Sequence, residues 1–281
     1  MSERVPVPTL KSPPARRLER LARAAAVVMR EPAEGVERIR EKIADEGARW
    51  TKSSSLAPDG DWPASLHAML GVEWTCQEVT GFDPLWNEVV AGLRGKGLSV
   101  GRGSFSGWDD GDAGLARAAW CVTRHQRPEI VVETGVARGL TTRVLLEALE
   151  ANGFGRLYSI DLPPPLAQER LVNERAAAVT AELRTRWTLI EGSSRRRLPG
   201  LLRELGTIDV FVHDSRHTRR NISFELCAAW SALRPGGVML ADDIHGTIAF
   251  EESIGAFGNP PAIVCSSDDQ RGRFGLIKKP G

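Results

Sequence analysis

Several things are scarce or missing in this sequence. It has one tyrosine and four cysteines in 281 residues, and no apolar run of 18 residues. Without such a run no transmembrane helix is expected. The N-terminus lacks the charged, apolar and cleavage-site layout of a signal peptide. Cys76, Cys121, Cys227 and Cys265 lie far apart and form no C-x-x-C pair. Neither a zinc knuckle nor a thioredoxin motif is expected, nor a disulfide framework, and the plain reading is four reduced thiols in a cytoplasmic protein. An excess of one charge is also missing. Lys+Arg number 37 and Asp+Glu 36, giving +1, which argues against a dedicated nucleic-acid binder. Trp50, Trp62, Trp74 and Trp86 are evenly spaced, but the residues between them do not match, so they are not a repeat.

What remains is an ordinary globular composition, 42% hydrophobic and 26% charged. A chain of this length buries about 75% of its unfolded surface on folding. Residues 1–15 are Pro-rich and read as a flexible tail. Residues 16–127 read as a helical cap or lid region without strands. Its helices are expected over 15–47, 64–70, 83–94 and 113–126, with a Gly/Asp-rich loop at 95–112 whose 101–112 part is equally readable as a mobile lid or a surface linker. The arginine-rich amphipathic stretch at 16–30 reads as a surface helix rather than a transit peptide.

After Arg127-Pro128 the texture changes. EIVVET, RLYSID, WTLIEG, IDVFVHD and GGVMLADD read as strands, and helical stretches alternate with them, including one over 166–185. AIVCS and FGLIKK follow as two late strands. Strand alternating with helix at this spacing predicts an α/β fold: a doubly wound, mostly parallel, seven-stranded Rossmann-like sheet with an antiparallel edge strand, over residues 128–281.

In such sheets ligands bind outside the carboxyl ends of the strands. Those ends carry Glu133-Thr134-Gly135-Val136-Ala137-Arg138-Gly139, Asp161, Glu191-Gly192-Ser193-Ser194, His213-Asp214 and Asp242-Asp243. Gly135 and Gly139 suit close backbone approach to a ligand. Ala137 breaks the G-x-G-x-x-G fingerprint, and Glu133 would repel a pyrophosphate, so a dinucleotide is not expected. Glu133 suits a cationic ligand such as S-adenosylmethionine (SAM), which carries an ammonium and a sulfonium. Asp161 is placed to accept hydrogen bonds from ribose hydroxyls. The plainer alternative is that both acids cap turns.

Asp214 is expected beside Asp242 and Asp243 on neighbouring strands. Clustered carboxylates repel unless protonated or neutralised, and Mg²⁺ or another hard divalent cation fits a site of few carboxylates plus waters. His217 follows Asp214 by three residues and can face the same pocket, and His245 is a second candidate. Taken singly, each of these acids is as readily a helix-start or turn residue.

The segments VVETGVARGLTT, LYSIDLP, IEGSS, FVHDSRHT and LRPGGVMLADDIH, in this order over about 128–280, resemble class I SAM-dependent methyltransferases. The closest likeness is to metal-dependent O-methyltransferases of the catechol and macrolide-sugar types. The resemblance implies that the loop of Glu133, Gly135, Ala137, Gly139 and Thr141 binds the methionine part, Asp161 the ribose, and Gly192, Ser193 and Ser194 the adenine side. Asp214, also beside the cofactor, would hold Mg²⁺ with Asp242 and Asp243. His217 stands where catechol-type enzymes carry a lysine base, and Asp243 where they carry asparagine. The implied activity is methylation of a hydroxyl on a small molecule (sugar, natural product or phenolic), with His217 as general base and Asp214 assisting. Other readings are a non-catalytic SAM-binding partner, or a methyltransferase of RNA or a phosphate-bearing acceptor drawn by Arg195-Arg196-Arg197, a run whose default reading is a solvated face. No membrane partner is expected, and the helical cap is a candidate for homo-oligomeric pairing.

Overall fold

A computed structural model describes residues 54–105, 108–110, 112–162 and 169–281, with Pro32, Gly35 and Val36 as isolated positions. The expected tail, nearly all of the expected 15–47 helix, and the Trp108 side chain lie outside the described residues. Among the described residues no helix is long and apolar enough to cross a membrane.

The strands are β1 (Gly101–Phe105), β2 (Trp108–Asp110), β3 (Ile130–Thr134), β4 (Arg156–Asp161), β5 (Trp187–Glu191), β6 (Ile208–His213), β7 (Leu233–Ala241), β8 (Ala262–Ser266) and β9 (Arg273–Lys278). The last seven form one sheet in the order β5-β4-β3-β6-β7-β9-β8. All neighbours from β5 through β7 pair in parallel, whereas β9 runs antiparallel to both β7 and β8. The final hairpin thus folds back on itself and inserts its second strand next to β7. Alternate residues of one strand feed opposite faces. Val131, Val210, Val212, Val238 and Leu240 enter one apolar cluster. Val132, Phe211, Met239 and Ala241 enter the other.

Helices α1 (Trp62–Leu70), α3 (Ala113–Gln126) and α4 (Leu140–Asn152) contribute to the first cluster. Helices α6 (Ser194–Leu205), α7 (Arg219–Ala232) and α8 (Ala249–Ala256) contribute to the second. Helix α2 (Phe82–Gly95) adds Phe82 to the first cluster and closes a third with Val89, Leu93 and Leu140. Residues 62–126 therefore share a core with the sheet. Trp62 packs edge-on against Phe274 of β9 at 5.2 Å.

Two sequence expectations are corrected. The Gly/Asp-rich stretch is not all loop, and the N-terminal region does contain strands: β1 and β2 pair as an antiparallel hairpin. Nor is 166–185 a single helix. Residues 163–168 lie outside the described residues; α5 (Glu169–Glu174) is short, and a 3₁₀ turn follows only at Glu182–Arg186. Between them Ala176 takes φ +54°. The amides of Ala176 and Ala178 donate to the carbonyls of Ala137 and Arg138 at 2.9 Å each. Donors that would have extended the helix are used to hold the β3–α4 loop.

Candidate active site

The strand order reverses between β3 and β6, so the crevice lies at their carboxyl ends. The amide of Asp214 donates to the Thr134 carbonyl, and that of Asp242 to the His213 carbonyl, each at 2.8 Å. These bonds continue the ladder past the strands and bring the tips of β3, β6 and β7 side by side. Gly135 is compelled by this contact. Its φ is +89°, and a Cβ there would stand 1.9 Å from the Asp214 carbonyl oxygen. A Cβ on Gly139 would crowd Val179 and Ala176. Both glycines were expected to admit a ligand; in the structure the atoms they admit belong to the protein.

Glu133 is fully buried at the end of β3. Its Oε2 accepts hydrogen bonds from the Thr142 hydroxyl at 2.8 Å and the Ser159 hydroxyl at 2.6 Å, while its Oε1 is buried without a partner among the described residues. Burial pushes its carboxyl up to about 7 against the two hydroxyl donors. Thr142, rather than the neighbouring Thr141, makes the contact. Asp161 at the β4 tip accepts from the Val136 amide at 3.4 Å and from Arg175 Nε at 3.0 Å. Burial raises it to about 6 in spite of Arg175. Arg175 also reaches Glu191 at 2.5 Å. The Gly192 amide ties the β5 tip to the Asp161 carbonyl at 3.0 Å. Ser193 caps α6 through its carbonyl, which accepts from the amides of Arg196 and Arg197. Ser194 turns to Glu225.

At the β6 and β7 tips, Asp214, His217 and Asp242 offer ligand atoms within 4.8 Å of one another. Asp214 is held well above the carboxylate range by burial first, then by the charges of Asp242, Glu133 and Asp243 and by a hydrogen bond with Asp242. Asp243 stands apart from that trio. It takes φ +48° and turns its Oδ2 to His217 Nδ1 at 2.9 Å. The acid was expected among the metal ligands; the structure sets it behind the histidine. Among the described residues His217 Nε2 has no hydrogen-bond partner, and it lies 3.8 Å from Asp214 Oδ1. Burial would lower the His217 pKa, but the Asp243 bond and the charges of Asp242, Asp243 and Glu225 outweigh it and raise it. His245 is outside this group, 3.9 Å from the other Asp243 oxygen.

Two residues here had no signal in the sequence. Glu225, on the inner face of α7, accepts from Thr134 at 2.5 Å, Ser215 at 2.8 Å and Asn221 at 2.9 Å, and pairs with His213 Nδ1 at 2.6 Å. Burial alone would raise its pKa; His213 and the hydroxyl donors bring it down to about 2. Arg138 is fully buried. It pairs with Glu174 at 2.5 Å and Asp110 at 2.9 Å, and donates to the carbonyls of Ser99 and Ser104. It thereby pins the β1–β2 hairpin to the β3–α4 loop. Charge buried on this scale needs partners, and those partners come from two segments distant in sequence, residues 99–110 and Glu174.

Residues 132–244 match the family described as a methyltransferase domain. Over this span the chain is similar to methyltransferase domains. Among solved structures, an O-methyltransferase from Bacillus cereus in complex with S-adenosylhomocysteine (SAH) is 17% identical. It aligns over 70% of this chain and 91% of its own, with a TM-score of 0.50. The O-methyltransferase TomG from Streptomyces achromogenes, involved in tomaymycin synthesis and solved with SAM, is also 17% identical. It aligns over 71% of this chain and 91% of its own, again with a TM-score of 0.50. At this identity the likeness is one of fold. No curated protein matches the chain. The domain's matched span runs from the middle of β3 to Ile244 and takes in every strand tip described above.

Proposed function

We propose that this methyltransferase domain transfers the methyl group of SAM to a hydroxyl of a small molecule (a sugar, natural product or phenolic), with His217 as general base and a divalent cation on Asp214 and Asp242. One observation carries the reading: Asp243 fixes His217 Nδ1 while Nε2, unpartnered, faces Asp214 and Asp242. With Nδ1–H donated to Asp243, Nε2 holds the free lone pair and can take the acceptor's proton, the arrangement by which an acid selects the tautomer of a catalytic histidine. Asp243 is then a positioning residue.

Glu133, with its one unpartnered oxygen, supports a cationic cofactor at the β3 tip. Asp161 supports the ribose side once Arg175 yields part of its contact. Methyl transfer is an in-line displacement, and alignment of hydroxyl and methyl supplies roughly 7–11 kcal/mol of the barrier. Two adjacent carboxyls that share a hydrogen bond fit a hard cation, which would lower the acceptor's pKa and orient it. The small-molecule reading is favoured over RNA because Arg195 and Arg197 are engaged within the chain. Arg195 donates to the Arg220 carbonyl and covers Phe224, and Arg197 donates to the Glu191 carbonyl.

Titration calorimetry with SAM, then SAH release across a panel of hydroxylated acceptors with and without chelator, tests the proposal. Turnover lost on chelation is expected. SAM binding without turnover on any acceptor points to a non-catalytic partner, and full turnover in excess chelator removes the cation.

A further inference from the structure

A second cluster lies at the opposite edge of the sheet. Helix α3 ends at Gln126, just before the start of β3, so His125 stands at the amino-terminal edge of the strands. Its Nε2 is 3.1 Å from Cys76 Sγ. His67 Nε2, from α1, is also 3.1 Å from the same sulfur. The three ligand atoms lie within 4.8 Å of one another. His67 is buried, with the other two half-buried. The His67 Nδ1 is 2.7 Å from the Pro63 carbonyl. A carbonyl can only accept, so Nδ1 carries the proton and Nε2 directs its lone pair at the cluster. This is the outer hydrogen bond that orients metal-binding histidines. The two imidazoles meet at 79°, and Trp74 covers the His67 ring at 4.7 Å.

We propose that His67, Cys76 and His125 form a transition-metal site, of a kind that takes Zn²⁺, separate from the strand-tip site. Two imidazoles and a thiolate are borderline-to-soft donors and suit Zn²⁺ far better than Mg²⁺. Around a tetrahedral ion with Zn–N of about 2.0–2.1 Å and Zn–S of about 2.3 Å, the nitrogens lie about 3.5 Å from the sulfur. The observed 3.1 Å contacts need open by only about half an ångström. A water completes the fourth position. Binding releases the Cys76 thiol proton to solvent, since the thiolate is the ligand. The ion would clip the 71–76 segment, which follows α1, to both α1 and α3.

The test is to strip the full-length protein with chelator, dialyse it, and titrate it with Co²⁺ as a spectroscopic stand-in. One equivalent is expected to give a near-ultraviolet thiolate charge-transfer band and visible bands of tetrahedral geometry, both bleached by Zn²⁺. Asp242→Asn should keep the band, Cys76→Ser should abolish it with three other cysteines present, and His125→Gln should weaken binding at least tenfold. No thiolate band in the wild type overturns the proposal whatever the variants do, because that measurement needs no mutant to fold. A band unchanged in Cys76→Ser, or lost in Asp242→Asn, overturns it equally.

Discussion

Replacing Glu133 by glutamine should change how the stability of the protein depends on pH. The carboxyl is fully buried, has one unpartnered oxygen, and is raised by that burial from 4.5 to about 7. The folded state therefore holds this proton more tightly than the unfolded state does. Below pH 4.5 both states are protonated and the group costs nothing. As pH rises from 4.5 to about 7, the unfolded chain ionises freely while the folded chain resists, so stability falls, and above 7 the loss is constant. At 1.36 kcal/mol per pH unit the full loss is about 3 kcal/mol. Glutamine cannot ionise. Its buried amide adds a fixed penalty of about 1–3 kcal/mol that does not vary with pH. The difference in unfolding free energy between variant and wild type should therefore move by about 3 kcal/mol in the variant's favour between pH 4.5 and 8. Urea denaturation of both proteins across that range measures it. A difference that stays flat would refute the assignment of a destabilising buried carboxyl. The proposed cofactor adds a second readout. A cation at Glu133 favours the ionised form, so SAM affinity should rise by up to tenfold per pH unit below 7 and level off above it.

Further outcomes follow from the same geometry. His217→Ala should lower turnover by roughly 10²–10⁴-fold, the usual worth of a general base, with SAM affinity unchanged by calorimetry; near-normal turnover would remove His217 from the mechanism. Asp243→Asn should lower kcat and move the acidic limb of its pH profile to lower pH, because the bond to Asp243 is among the interactions holding the His217 pKa up; an unmoved limb would count against that role. Arg138→Ala leaves Glu174 and Asp110 facing a buried gap and should cost about 3–5 kcal/mol in chemical denaturation, whereas a loss under 1 kcal/mol would show that water reaches the site. Gly135→Ala drives a Cβ into the Asp214 carbonyl, so the soluble, folded yield should collapse, and a well-folded variant would mean that the β3 and β6 tips lie farther apart.

Much of the seven-stranded sheet could be read along the chain because its signals are local. A buried parallel strand such as β6, with Val210, Phe211 and Val212 all inaccessible, is written as a continuous apolar run. Its polar tip, His213-Asp214, follows at once, and fold topology places such tips at the crevice. The β1–β2 hairpin was not legible because its Gly/Asp-rich sequence suits a loop equally well; Arg138 reaching Asp110 and the Ser99 and Ser104 carbonyls ties it in place. The segment at 175–181 failed for the converse reason: its alanines favour a helix, but the β3–α4 loop accepts its amides.

By itself, then, the sequence determined the α/β class, the succession of strands and the acids at their ends, since these depend on periodicity and on residues adjacent in the chain. Only the tertiary structure decided how those acids divide, with Asp214 and Asp242 together and Asp243 behind His217. It alone showed that Gly135 serves a backbone contact, that Glu225 and Arg138 are buried hubs, and that His67, Cys76 and His125 meet at one sulfur. Those facts depend on the direction of side chains across segments tens of residues apart, where burial strengthens every charge and leaves each polar atom to find its partner within the fold.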